Sequence, residues 1–205
     1  MTGAVTWGLV ASSLAVIVVR RRSLAIALVA LQSLGLGLYA ITQGSRTSTA
    51  LAVTGIVLIA KALALPALLL LTVRRARKER LIATELAAPA RLAIAVGFAL
   101  AVEQLIPRFG LPDAGVEHAA VGLLALGILT AVVRRAVLFQ ALGFLMAENG
   151  IYLAGLSLPG GLPVFIELGL VFDLVVIVSV AAAFAAKIHE QLGSGDSSLL
   201  GVLRD

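Results

Sequence analysis

The chain has 205 residues, of which 60% are hydrophobic and only 13% charged, and its mean hydropathy is +1.09. A soluble domain of that length needs far more polar surface, so a free-standing soluble enzyme is excluded. The net charge of +5 does not point to nucleic acid, because the basic residues cluster at the ends of apolar runs.

Seven apolar runs, near residues 2–19, 24–41, 49–73, 92–106, 116–133, 138–156 and 163–187, are each of a length to cross the hydrocarbon layer. The expected fold is all-α, a polytopic membrane protein of about seven transmembrane helices. In that arrangement the basic residues at 20–22, 74–80, 91, 134–135, 187 and 204 fall on one side, and only Arg46 and Arg108 on the other. The positive-inside bias then sets the N-terminus outside and the C-terminus in the cytoplasm, with anionic lipid as a secondary partner of the basic run RRARKER from Arg74. The first run precedes its charges and has no small-residue cleavage site before Arg20, so it is read as a retained helix. The absence of cysteine removes iron–sulfur and thiolate metal ligation, and no cofactor or metal site is expected.

In chain order, the second run carries Gln32 about 15 Å from Arg22, flanked by Gly35 and Gly37, and reads as interhelical glue. The third run holds Lys61, thirteen residues before Arg74 and so about 20 Å deep. A lysine there requires a partner or a wet cavity. The fourth run contains Glu103 near its outer end, read as a wetted residue that could line an exit route. The segment after it, RFGLPDAGVEH, reads as a solvated outer loop in which Asp113, Glu117 and His118 lack metal-ligand spacing. The sixth run carries Glu148, thirteen residues past Arg135, with Asn149 beside it and Tyr152 one turn on, sharing its face. In the last run Glu167 lies near the outer end, and Asp173 is fourteen residues before Lys187, about 21 Å from that edge. Lys61, Glu148 and Asp173 thus fall at similar depth on three different helices. Buried ionisable groups of this kind are retained chiefly for ion or proton handling.

VVRRRSLAIALVALQSLGLGLYAI from Val18 also reads against VVRRAVLFQALGFLMAENGIYLAGL from Val132, a degenerate repeat. The organisation expected is an N-terminal three-helix unit with a basic loop over residues 1–90, a joining helix and outer loop over 91–115, and a second three-helix unit with a short tail over 116–205.

The run RRxxLFxxLGFLxxEN from Arg134 to Asn149, followed by a helix with an acidic residue, resembles the K subunit of NADH–quinone oxidoreductase. With its N-terminal extension and the pattern ENGIYLAGL…GLPVFIELGLVFDLVV, the whole chain resembles hydrogenase-4 component E. That family supplies membrane-arm subunits to energy-converting [NiFe] hydrogenase and formate hydrogenlyase-type complexes. The resemblance implies a non-catalytic subunit in a prokaryotic plasma membrane, contributing carboxylates to a proton path. Its partners would be antiporter-like and quinone-site-type membrane subunits and, indirectly, a [NiFe] hydrogenase arm. The proton-path candidates are Glu148, Asp173, Lys61, Glu167 and Glu103. One departure is visible: the K-type family places its first glutamate where this chain has Leu145, one turn before Glu148. A cation/proton antiporter subunit and a structural membrane subunit are the alternative readings.

Overall fold

In hydrocarbon a backbone can satisfy its N–H and C=O groups only within the segment, so long runs of Leu, Ala, Val and Ile close into helices. The computed structural model describes residues 2–42, 60–64, 67 and 86–158, with isolated positions 169, 172, 175, 176, 179, 180 and 183. Its elements are α1 (Thr2–Val18), α2 (Arg22–Thr42), a π-helical turn (Ala60–Ala64), α3 (Ala88–Leu105), α4 (Ala114–Val133) and α5 (Val137–Leu156). The protein is all-helical. Four helices, α2 to α5, are long and apolar enough to cross a membrane, and α1 is a shorter apolar helix. This architecture is compatible with a multi-pass membrane protein. Apart from the π-helical turn and the isolated positions, the third and seventh apolar runs lie outside the described residues.

Two boundaries correct the sequence reading. α3 begins at Ala88, four residues before the expected start, with Pro89 in its first turn, where a missing N–H costs nothing. Arg91 is therefore a helix residue and is almost wholly buried. The solvated outer loop is also shorter than expected, because α4 begins at Ala114. Asp113 is its N-cap, its Oδ1 accepting from Gly115 N at 2.8 Å and Val116 N at 3.4 Å. Such caps satisfy N–H groups that have no partner inside the helix.

α4 and α5 form an antiparallel hairpin whose backbones touch. A Cβ on Gly143 would lie 2.6 Å from Ala131 N, and one on Gly150 2.6 Å from Ala120 O. Close approach of this kind is how membrane helices associate where apolar burial gives no drive. α1 packs on α2, α3 and α4, and α2 packs on α5. Ile17, Ile26, Leu126, Phe139, Leu142 and Met146 share the resulting core.

The C-terminal carbonyls of α1 have no helical partners, and two arginines supply donors. Arg91 donates to Ile17 O at 2.8 Å and Val18 O at 3.0 Å, and Arg134 to Ile17 O at 3.0 Å and Val19 O at 3.1 Å. Arg134 also stacks on the Phe139 ring, 3.5 Å from its centroid. Burial, with Arg91 and Arg20 close by, pushes the Arg134 guanidinium down to about 10, so it stays charged at neutral pH. These contacts gather the cations of three sequence segments at one end of the bundle.

Candidate functional site

The π-helical turn carries Lys61, and α5 carries Glu148. Lys61 Nζ lies 2.5 Å from Glu148 Oε2, and the two side chains are 4% and 12% exposed. The ammonium also sits over the Tyr152 ring, 4.9 Å from its centroid. Tyr152 follows Glu148 by one helical turn, so both belong to one face of α5. Beyond the ion pair, neither the ammonium nor either carboxylate oxygen has a hydrogen-bond partner among the described residues. A carboxylate can accept about four such bonds and an ammonium can donate three, so the pair retains capacity for further ligands. A π-turn widens the helix and breaks its regular ladder, and such turns are frequent at functional sites.

Next to the pair, a polar cluster joins three helices. Asn149 Nδ2 donates to Gln32 Oε1 at 3.1 Å and to Ser33 Oγ at 3.3 Å. Gln32 Nε2 in turn donates to Ser13 Oγ at 2.7 Å, Leu9 O at 2.9 Å and Ser12 Oγ at 3.1 Å. Asn149, Gln32, Ser33 and Ser13 are all buried. The interhelical role read for Gln32 is what the structure displays. Ser12, Ser13 and Ser33 complete the cluster, and the sequence signal for them is polar residues on successive apolar runs.

At the end of the bundle away from Arg91 and Arg134, Glu103 of α3 pairs with His118 Nδ1 of α4. Glu117 and His118, read from sequence as solvated loop residues, belong to the first turns of α4. Glu117 is buried and accepts from Phe109 N at 2.5 Å and Leu111 N at 3.1 Å. Its carboxylate folds the α3–α4 connection back onto the helix, which the polar character of the segment concealed. Among the described residues no group of three His, Asp or Glu side chains could hold a metal. The structure thus brings Lys61 and Glu148 together and sets Glu103 apart, in its own pair. Asp173 and Glu167 lie outside the described residues.

Over 207 aligned residues, the chain is 32% identical to "Uncharacterized protein Rv0085" of Mycobacterium tuberculosis, an alignment covering 97% of this chain and 93% of that protein. The chain belongs to the Rv0085 family. No protein-family model and no solved structure matches it. For this member of the Rv0085 family the chemistry available at the site is therefore read from its own geometry. An acid and a base in direct contact, enclosed by apolar helices, can exchange a proton and interconvert a charged pair with a neutral one. Neither state leaves an isolated charge in hydrocarbon, which would be the costly arrangement.

Proposed function

We propose that this chain is a membrane-arm subunit of a complex-I-like energy-converting hydrogenase complex, and that its buried carboxylates form part of a proton-translocation path. The single observation that carries the reading is the Lys61–Glu148 contact inside apolar helices. It is supported by the resemblance of the segment Arg134 to Asn149 to subunit K, whose first glutamate falls at Leu145, one turn before Glu148 and on the same face. In this reading the chain crosses a prokaryotic plasma membrane seven times, with the N-terminus outside and the C-terminus in the cytoplasm. The subunit binds no redox cofactor and makes or breaks no bond other than those to protons.

The steps follow from the residues. A proton arriving at Glu148 while Lys61 is charged breaks the ion pair and leaves the ammonium in need of a new partner. Asp173 on the last apolar run is the candidate, since it is expected at similar depth. A proton passing from Lys61 to Glu148 makes the neutral pair; the carboxylic acid then releases it onward as a proton from the loading side recharges Lys61, which restores the ion pair. Asn149 and Gln32 do not titrate; their carboxamides fix the local dipoles and hold α1, α2 and α5 in register beside the pair. Glu103 and Glu167, both expected near the outer ends of their helices, are the candidate exit groups.

Affinity purification of the tagged chain from native membranes tests the assembly. Recovery of antiporter-like membrane subunits together with a [NiFe] large subunit is expected. A chain that purifies alone and transports ions by itself would contradict the reading.

A further inference from the structure

A cleft of about 410 Å³ opens between α1, α3 and α4 on the half of the bundle that carries Glu103. Its walls include Trp7, Val10 and Leu14 of α1, Val96 and Leu100 of α3, and Gly122 of α4. Trp7 and Leu100 are exposed, so the cleft is open at its side, where hydrocarbon would lie if α3 spans the membrane. Beyond its upper end is a second cavity of about 310 Å³, lined by Gln104, Arg108 and Glu117 among others. Glu103 and His118 line both cavities, so one carboxyl–imidazole pair stands at the junction of an apolar compartment and a polar one. That is the layout of a site for an amphiphile, with the tail below the pair and the polar head above it.

The charges select the head. Arg108 is exposed and forms no ion pair with a described residue. It also stands apart among the described arginines, since Arg20, Arg21, Arg22, Arg91, Arg134 and Arg135 lie at the opposite ends of their helices. Guanidinium is matched to phosphate oxygens through paired donors. Glu117 spends its carboxylate on Phe109 N and Leu111 N, fixing the turn next to Arg108 and leaving little acid to compete for it. Glu103 is likewise engaged, by His118 Nδ1, so the acid nearest the junction is also turned to a partner other than Arg108. Trp7 at the rim suits the level where aromatic rings meet lipid headgroups. We propose that the α1–α3–α4 cleft holds one phospholipid, an acyl chain lying along Gly122 and Leu100 and its phosphate against Arg108. This site is at the opposite end of the bundle from the arginines that cap α1.

The test uses the full chain purified in mild detergent, with phosphorus content and native mass spectrometry as readouts. Wild type should retain about one phospholipid per chain. Arg108→Gln, which removes one charge-assisted phosphate contact, should lower retention about tenfold. Gly122→Leu should lower it as well: a Cβ there meets only Val10 Cγ2, at 3.7 Å, so the added side chain enters the cleft instead of the backbone of a neighbour. A wild-type chain without bound phosphorus overturns the proposal, with no variant needed. Retention that survives both substitutions also overturns it. Loss in Gly122→Leu with full retention in Arg108→Gln would mean that the phosphate does not lie against Arg108 and would likewise overturn it.

Discussion

Lys61 and Glu148 meet at 2.5 Å although neither belongs to an edge of its apolar run, and a π-helical turn presents the lysine. Removing one partner of such a pair strands the other charge, a loss of about 3–5 kcal/mol in buried pairs, whereas replacing both with neutral groups of similar size is often tolerated. Lys61→Met should therefore lower the thermal stability of the purified chain sharply, and Lys61→Met combined with Glu148→Gln should recover most of it. Equal stability of wild type and Lys61→Met would mean the two groups do not pair in the membrane.

Backbone contact between α4 and α5 gives a second expectation. Gly143→Ala sets a methyl group 2.6 Å from Ala131 N and from Gly127 O, and separating the helices should cost about 1–3 kcal/mol. Gly97→Ala on α3 meets nothing within 4 Å and should melt with wild type. Thermal denaturation of the two variants side by side checks the difference.

The arginines that cap α1 differ from ordinary positive-inside residues, because they donate to named carbonyls. Arg91→Ala leaves Ile17 O and Val18 O without those donors, an expected loss of about 1–3 kcal/mol. Arg91→Lys should restore only part of it, since an ammonium lacks the planar fork that reaches two carbonyls at once. Arg135→Ala, at an exposed position, should cost less than Arg91→Ala in the same melting assay.

Reporter fusions test the proposed topology. Fusions at Arg77 and Ser194 should report a cytoplasmic location, and those at Ser45 and Ala114 an external one. A cytoplasmic signal at Ser45 would break the seven-span arrangement and the depth argument that rests on it.

What could be read from the chain alone divides along physical lines. The run 116–133 agrees with α4 within two residues, and 138–156 with α5 within one, because hydropathy and flanking arginines act locally and mark helix ends directly. Gln32 was legible as glue because an amide at that depth has few other fates. Arg91 was misplaced because a charged residue reads as an edge, and only the tertiary fold supplies the α1 carbonyls that let it be buried. Glu117 and His118 were misread for the same reason: their partners, the Phe109 and Leu111 amides and Glu103, come together only once α4 has started at Ala114. Small residues recur at helical spacing along both runs, but the meeting of Gly127 and Gly143 is not legible from them, because which faces of two helices meet is not a local property. Counting residues sets Lys61 and Glu148 at a common level, as their contact requires, but does not show that they touch.

We propose that Glu148 relays protons and does not merely balance Lys61. Proton translocation in vesicles, normalised to assembled complex, separates these for Glu148→Gln and for the Lys61→Met/Glu148→Gln double variant. The double variant leaves no stranded charge, so it should assemble like wild type. Both should lose most of their pumping. Wild-type pumping by the assembled double variant would contradict the proposal and leave the pair a structural ion pair.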